Sequence, residues 1–186
     1  YIGGNDSMDT VTKLSLYAKN NGKDVAIVGV PKTIDNDLVG TDHTPGFGSA
    51  AKFVATTVSE IARDCAVYAD KSITVVEIMG RNAGFLAMYV GLAVGATAVL
   101  VPEKPIDFER DVIEKIRQAR FKGFTHYMIV VAEGAGSASD IAKKIKDAID
   151  LDPRVTVLGH IQRGGVPTGR DRVNATKMGY TAVELL

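Results

Sequence analysis

The sequence predicts an α/β fold in which helices cover a largely parallel sheet. Short apolar runs alternate along the chain with longer segments that have the hydrophobic period of a helix. Glycine-rich and polar segments come directly after the apolar runs, where loops leave the carboxyl ends of strands. The alternation and the placement of the loops together indicate this fold class.

The runs that are predicted to form strands are short, apolar and bounded by Gly, Pro or polar residues. They span residues 24–30, 73–78, 98–101, 127–131 and 155–158. Helices are predicted for the amphipathic stretches at about residues 8–20, 49–66, 83–93, 108–120, 139–149 and 176–186. Because ligands bind beyond the carboxyl ends of parallel strands, we expect the loops that follow the strands to converge on one edge.

Composition excludes several classes of protein. The chain has 186 residues, enough for one domain or one domain plus part of another, and its 22 basic and 22 acidic residues cancel. No overall charge therefore attracts nucleic acid or a membrane surface. The single cysteine, Cys65, cannot form an internal disulfide, which favours a reducing compartment and most simply the cytoplasm. The opening residues Tyr1–Gly4 resemble the end of a strand that enters a loop, so we expect the chain to begin inside a domain.

The segment 31–37 is the richest in chemical groups. In an extended loop Thr33, Asp35 and Asp37 would share one face. Two carboxylates and a hydroxyl placed in this way could hold a magnesium ion. Equally, one carboxylate could accept a proton from a substrate hydroxyl. A solvated turn is the third interpretation, since Asp and Asn favour turns.

A second candidate segment, Gly3–Ser7, comes just before the first predicted helix. Glycines let a phosphate approach the backbone closely, and the N-terminus of a helix attracts anions. However, Asp6 would place a negative charge beside such a phosphate. The alternative is a helix cap in which Asp6 or Ser7 binds the unpaired amides of the first turn.

Two further segments follow predicted strands, at Met79–Asn82 and Gly159–Gly165. Both contain arginine, whose planar group binds phosphate through paired, charge-assisted hydrogen bonds. Glu133 ends an otherwise apolar run and is a candidate to hydrogen-bond sugar hydroxyls, although a purely structural hydrogen bond is the alternative.

Other common sites are not indicated. The G-x-x-x-x-G-K-[ST] loop of many nucleotide-binding proteins is missing from the sequence. Residues 46–51 fit a dinucleotide-binding pattern literally but follow a long loop instead of a strand. The histidines lack the spacing of metal ligands.

Taken together, these segments resemble the phosphofructokinase family. The matching pieces are Gly3–Ser7, Pro31–Asp37, Gly40–Asp42 through Gly46–Gly48, Glu77 to Arg81, Glu133, Gly159–Gly165 and Asp171–Arg172. The strings Thr33–Asp37 and Gly159–Gly165 are the most specific of them. The resemblance implies a phosphofructokinase-like, three-layer αβα fold with mostly parallel sheets, truncated at both ends, so that the chain is an internal piece of a longer one. It further implies that residues 1–46 and 164–186 belong to a phosphoryl-donor domain and residues 47–163 to a domain that binds fructose 6-phosphate.

The resemblance also implies roles for single residues and for Mg²⁺. Asp35 would be the base that takes the proton from the 1-hydroxyl of fructose 6-phosphate, with Thr33 and Arg81 as further catalytic residues. Asn5 and Asp37 would hold the metal, and the phosphoryl donor would be bound by Gly4, Asp6, Ser7 and Lys32. The sugar phosphate would be bound by Met79, Gly80, Arg81, Glu133, Arg154, His160 and Arg163. Arg154 would reach the sugar phosphate of a neighbouring subunit, which implies a homo-oligomer, a dimer or a tetramer, with shared active sites.

The phosphoryl donor depends on two positions. ATP-dependent members of the family typically carry glycine where this chain has Asp6 and Lys32, and pyrophosphate-dependent members resemble this chain. Asp6 would repel the α-phosphate of ATP, whereas Lys32 could neutralise a compact pyrophosphate. We therefore expect a glycolytic diphosphate–fructose-6-phosphate 1-phosphotransferase, with an ATP-dependent 6-phosphofructokinase as the alternative. A non-catalytic regulatory subunit that binds sugar phosphate is a third possibility, against which the presence of Asp35 argues.

Overall fold

Residues 1–67 and 71–186 are described by a computed structural model, in which the chain forms two structural units. The first unit comprises Tyr1–Ser49 and Val166–Leu186, and the second comprises Ala50–Gly165. Among the described residues, no helix is both long enough and apolar enough to span a bilayer. The donor-binding and sugar-binding roles predicted for two parts of the chain stay predictions.

The first unit contains a small parallel sheet and two long helices. Its elements are β1 (Ile2–Gly3), α1 (Asn5–Asn20), β2 (Val30–Pro31) and α6 (Gly169–Glu184). In the sheet Ile2 pairs with Val30 and Gly3 pairs with Pro31. The strand predicted for residues 24–30 is therefore wrong except at its last residue. A strand exists only where a neighbour completes its hydrogen bonds, and β1 offers two residues for pairing.

The second unit is built on a four-stranded parallel sheet in the order β4–β5–β3–β6. Its strands are β3 (Ser72–Ile78), β4 (Ala98–Leu100), β5 (His126–Ala132) and β6 (Arg154–Val157). Its helices are α3 (Phe85–Ala93), α4 (Glu114–Phe121), which follows a π-helical turn at Glu109–Ile113, and α5 (Ala138–Ile149). Helix α2 (Phe47–Ala66) begins in the first unit and continues in the second. The prediction of a parallel α/β fold is thus confirmed.

Both faces of this sheet are covered by helices. On one face Ile73, Val75 and Ile129 belong to a core cluster that includes buried residues of α5 and of the segment Val112–Ile116. On the other face a side chain at Gly91 of α3 would collide with Val99, and Cys65 of α2 lies 2.6 Å from Thr74 of β3. β3 and β5 are consequently buried on both faces, as the mostly apolar sequence of β3 and the continuous apolar sequence of β5 predict.

Helix α6 begins earlier than the hydrophobic pattern predicts, at Gly169 instead of residue 176. Thr168 caps it, because its side-chain oxygen accepts a hydrogen bond from the amide of Asp171 at 3.2 Å. The first two turns carry polar side chains, so they lack the apolar period on which the prediction depended.

Candidate functional site

The first candidate segment lies where β1 turns into α1. Helix α1 starts at Asn5 with Gly4 as its N-cap residue, and no side chain caps it. The alternative in which Asp6 or Ser7 caps the helix is therefore wrong, since both residues lie inside its first turn. A side chain at Gly3 would collide with Ser7, whereas one at Gly4 would lie 3.7 Å from the Cβ atom of Thr33. The glycine pair thus lets the start of α1 approach the loop that follows β2.

Asn5 and Asp37, the two predicted metal ligands, are brought together. The Asn5 side chain donates a hydrogen bond from Nδ2 to Asp37 Oδ2 at 2.7 Å. The second carboxylate oxygen, Asp37 Oδ1, is buried and has no hydrogen-bond partner among the described residues. A buried carboxylate oxygen without a donor is a suitable ligand for a cation, and Mg²⁺ commonly binds one or two carboxylates together with substrate phosphates. The pair therefore fits Mg²⁺, although no three His, Cys, Asp or Glu side chains of residues 1–67 and 71–186 form a metal-holding group.

The loop that carries Asp35 is held by a buried threonine. Thr44 is fully buried and donates from Oγ1 to the carbonyl oxygen of Thr33 at 2.8 Å. Its amide donates to Asn36 Oδ1, also at 2.8 Å. Within the loop, the amide of Asp35 donates to Thr33 Oγ1 at 3.2 Å. Three bonds thus fix the backbone around Asp35 from within the first unit.

The loop is not extended throughout, contrary to the prediction. Asn36 has a φ of +57°, in the left-handed region that Asn tolerates better than most residues. Its side chain also donates to the carbonyl oxygen of Asp42 at 3.2 Å, which stabilises the turn. Side chains alternate between two faces only where the backbone is extended, and the backbone at Asn36 is not. The spacing of the residues therefore no longer predicts that Asp37 shares a face with Thr33 and Asp35.

In the second unit Glu133 binds the turn that follows β3. Its Oε1 atom accepts hydrogen bonds from the amides of Gly80 at 3.0 Å and Arg81 at 2.6 Å. Arg81 has a φ of +52°, and a side chain at Gly80 would collide with the carbonyl oxygen of Ala83. Glu133 therefore has the structural role that was the alternative, with Oε1 as the acceptor of both bonds.

Gln162 binds the same turn from another side. Only 1% of its surface is exposed, and its Oε1 atom accepts a hydrogen bond from the amide of Met79 at 2.9 Å. It lies in a short 3₁₀ turn, Gly159–Arg163, that also carries His160 and Arg163. Both of these predicted phosphate ligands are exposed. Hydrogen bonds within one unit thus join three predicted sugar-binding elements. These are the turn Met79–Arg81, Glu133, and the turn that carries His160 and Arg163.

Arg154 lies apart from this group. It begins β6, whereas the turn with His160 follows the end of that strand, and four strand residues span about 13 Å. Its side chain is 47% exposed and lies 3.5 Å from the carboxylate of Asp64. The described part of the second unit therefore does not bring Arg154 to the other predicted sugar-phosphate ligands.

The sequence indicated no role for Gln162, Asn36, Thr44 or the side chain of Asp171. Asp171 is buried, with 5% of its surface exposed, and its Oδ2 atom accepts hydrogen bonds from the amide and the hydroxyl of Ser49. Burial pushes the pKa of Asp171 upward, but the hydrogen bonds from Ser49, together with the nearby Gly46 amide and His43 ring, outweigh it. The pKa of Asp171 therefore lies below its ordinary value of 3.8. One signal was available, since Thr168 followed three residues later by an acid is a helix-start pattern.

Curated proteins that are similar to the chain are longer than it. An ATP-dependent 6-phosphofructokinase of Bacillus cytotoxicus is 47% identical over 185 residues, which are 100% of this chain and 55% of that protein. The ATP-dependent 6-phosphofructokinase of Bacillus thuringiensis matches with the same identity and coverage. The chain thus spans about half the length of the curated relatives that it matches.

The solved structures that are similar to the chain are also phosphofructokinases. A pyrophosphate-dependent phosphofructokinase from Nitrosospira multiformis matches 99% of this chain and 50% of its own, with a TM-score of 0.87 and 34% identity. The phosphofructokinase of Saccharomyces cerevisiae matches 99% of this chain and 27% of its own, with a TM-score of 0.86 and 31% identity. These matches confirm the phosphofructokinase-like fold that the sequence predicts. The family model described as phosphofructokinase matches residues 1–186, and the chain therefore belongs to the phosphofructokinase family.

Proposed function

We propose that the full-length protein transfers a phosphoryl group to the 1-hydroxyl of fructose 6-phosphate and forms fructose 1,6-bisphosphate. The observation that carries this proposal is the loop of Asp35, which Thr44 and Asn36 fix and which also supplies Asp37 to the pair with Asn5. A candidate base and a candidate metal ligand are thus held on one short loop. A subunit that only binds sugar phosphate has no need of this arrangement.

In the first unit Asp35 takes the proton from the attacking hydroxyl. A carboxylate is a weak base, which suffices when the transition state is loose and proton transfer is late. Asp37 Oδ1 and the side-chain amide oxygen of Asn5 would hold Mg²⁺, which when bound would neutralise charge on the phosphoryl groups. Thr33 and the start of α1 at Gly4 and Ser7 hold the donor phosphates near this loop.

In the second unit the turn at Met79–Arg81 and Glu133 bind the sugar. The amides of Gly80 and Arg81 hold the Glu133 carboxylate through Oε1, and in this position the carboxylate accepts a hydrogen bond from a sugar hydroxyl. His160 and Arg163 are exposed on their turn and bind the 6-phosphate. Their positions depend on Gln162 between them, which is buried and tied to Met79.

The identity of the donor is part of the proposal. The names of the 47% identical relatives favour ATP, and the sequence-based preference for pyrophosphate is not confirmed. Pyrophosphate remains the second candidate because Asp6, in the first turn of α1, would repel the α-phosphate of ATP. The exposed Lys32, next to the glycine pair, would neutralise a compact pyrophosphate.

The experiment that tests the activity supplies fructose 6-phosphate and Mg²⁺ to the full-length protein with ATP alone or pyrophosphate alone. Turnover with one donor identifies it, and a double variant Asp6→Gly with Lys32→Gly should move a pyrophosphate-dependent enzyme toward ATP. Asp35→Asn should lower kcat about 100-fold to 10,000-fold. The control is Asp24→Asn, an exposed acid of the same unit, which should leave kcat unchanged.

Two results would contradict the proposal. An Asp35→Asn variant with the kcat of the wild type would show that Asp35 is not the base. A wild-type protein that binds fructose 6-phosphate in calorimetry but turns over neither donor would instead be the regulatory subunit considered above.

Assembly and location are proposals of the same kind. The exposed side chain of Arg154 lies far from the other sugar ligands of its own unit, which supports a role toward a neighbouring subunit in a dimer or tetramer. Sedimentation of wild type and of Arg154→Ala, with KM for fructose 6-phosphate, tests whether a shared site exists. A cytoplasmic location is proposed from the single cysteine.

A further inference from the structure

Asp171 is a buried carboxylate that the proposed chemistry does not use. It lies in the first turn of α6, at the third position after the cap residue Thr168. An acid at this position usually turns back to bind the amide of the cap residue. Here the amide of Thr168 donates to Ser49 Oγ at 3.0 Å instead, and Ser49 Oγ donates to Asp171 Oδ2. The carboxylate is therefore directed away from its own helix.

The groups that bind the Asp171 carboxylate all come from one segment, residues 43–49. The amide and the hydroxyl of Ser49 donate to Oδ2, the amide at 3.0 Å, and the amide of Gly46 helps to lower the pKa of the carboxylate. His43 Nε2 lies 3.5 Å from Oδ1, a longer electrostatic contact between two atoms that have no closer partner among the described residues. His43 in turn packs edge-on against the ring of Phe47, with centroids 5.5 Å apart.

The same segment holds the loop of Asp35 on its other side. Thr44 donates to Thr33 and binds Asn36, as described above. The amide of Thr33 donates to the carbonyl oxygen of Pro45 at 3.1 Å, and Thr33 forms an isolated parallel bridge with Gly46. Segment 43–49 is thus bonded to Asp171 on one side and to the catalytic loop on the other.

We propose that Asp171 is a positioning residue for the phosphoryl transfer: it fixes segment 43–49, and through that segment it fixes the loop that carries Asp35 and Asp37. This inference rests on the proposed function for its catalytic consequence, whereas the anchoring itself is a property of the first unit. Thr168 already caps α6 through the backbone amide of Asp171, which any residue at position 171 would retain. The Asp171 side chain consequently binds segment 43–49 and does not contribute to the cap of the helix.

The test uses Asp171→Asn in the full-length protein, with Asp140→Asn as the matched control. Asp140 occupies the corresponding position after the cap residue of α5, Ser137, but it is exposed. In Asp171→Asn we expect faster hydrogen exchange at the amide of Thr44, and kcat per folded molecule lower by about 10-fold to 100-fold because the loop is misplaced. The Mg²⁺ concentration for half-maximal activity should rise severalfold, since Asp37 moves with the loop, while the KM for fructose 6-phosphate stays within about twofold.

Each outcome decides a separate point. A purely destabilising substitution would lower the active fraction without changing the Mg²⁺ requirement or local exchange at Thr44, and that result would overturn the proposal. If Asp171→Asn does not fold, Ser49→Ala removes the hydroxyl link and keeps the amide, and it should give the same changes in smaller size. Faster exchange at Thr44 in a protein whose wild type lacks all phosphofructokinase activity would confirm the anchor and overturn the proposed function instead.

Discussion

The Asn5 side-chain amide and the Asp37 carboxylate lie 2.7 Å apart, and this hydrogen bond joins the start of α1 to the loop that carries Asp35. An amide at this position contributes an oxygen without a charge, so it can sit beside Asp37 in the absence of metal. Two carboxylates at the same distance would repel each other until a cation bound between them.

Asn5→Asp should therefore lower the Mg²⁺ concentration for half-maximal activity severalfold, because it adds a negatively charged ligand. The same substitution should reduce stability in metal-free buffer and restore it when Mg²⁺ is added. Thermal unfolding with and without Mg²⁺ measures the second effect independently of activity.

Asn20→Asp is the control, since it changes the charge of the same helix at its exposed far end. It should leave the Mg²⁺ requirement as in the wild type. An Asn5→Asp variant whose Mg²⁺ requirement equals that of Asn20→Asp would exclude Asn5 from the metal site.

Thr44→Val should destabilise the protein by about 1–3 kcal/mol. Valine has nearly the shape of threonine but cannot donate to the carbonyl oxygen of Thr33, which would be left without this partner in a fully buried place. The free energy of unfolding in urea measures the effect.

Thr12→Val provides the comparison for that measurement. Thr12 donates a side-chain hydrogen bond to the carbonyl oxygen of Met8 at 3.0 Å, but it lies on the exposed face of α1 where water can replace the bond. The Thr12→Val substitution should change the free energy of unfolding by no more than about 0.5 kcal/mol. If the two variants lost the same free energy of unfolding, the burial of Thr44 would not be what makes its hydrogen bond important for stability.

Gln162→Met should raise the KM for fructose 6-phosphate about tenfold while leaving the Mg²⁺ requirement unchanged. Methionine fills a similar volume but leaves the Met79 amide without its acceptor, which costs about 1–3 kcal/mol, and 1.4 kcal/mol corresponds to a factor of ten. Steady-state kinetics against Gln118→Met, an exposed glutamine on α4, separates this effect from general loss of stability. An unchanged KM would show that the turn at Met79 keeps its position without Gln162.

The sequence predicted the second unit better than the first, for a physical reason. β5 is a continuous apolar run and β3 is a mostly apolar one, and both have neighbouring strands on two sides, so an apolar sequence and burial together predict them. The run at 24–30 is also mostly apolar, but only its last residue, Val30, pairs with β1, and no local pattern reveals how many partners a strand will find.

The candidate site shows a similar division. Asp35, Asp37 and Glu133 could be selected from their positions after apolar runs, because polar groups there face ligands or turns. The supports of the site could not be selected in this way. Gln162 binds an amide 83 residues away and Asp171 binds one 122 residues away, and such pairings arise only from the tertiary fold.

The charge of Asp171 should make the anchor of segment 43–49 sensitive to acid. Its pKa lies below the ordinary 3.8, so its ionised form stabilises the folded protein. This contribution is fully present above the unfolded value and is lost as the pH falls through the lowered folded pKa. The difference in unfolding free energy between wild type and Asp171→Asn should thus be constant from about pH 6 to about pH 5 and should narrow progressively below that. His43, whose Nε2 atom lies 3.5 Å from Asp171 Oδ1, is the titratable group that faces the carboxylate, and it is present in both proteins. A difference that stays constant to about pH 2.5 would show that Asp171 anchors the segment by packing and neutral hydrogen bonds, with no contribution from its charge.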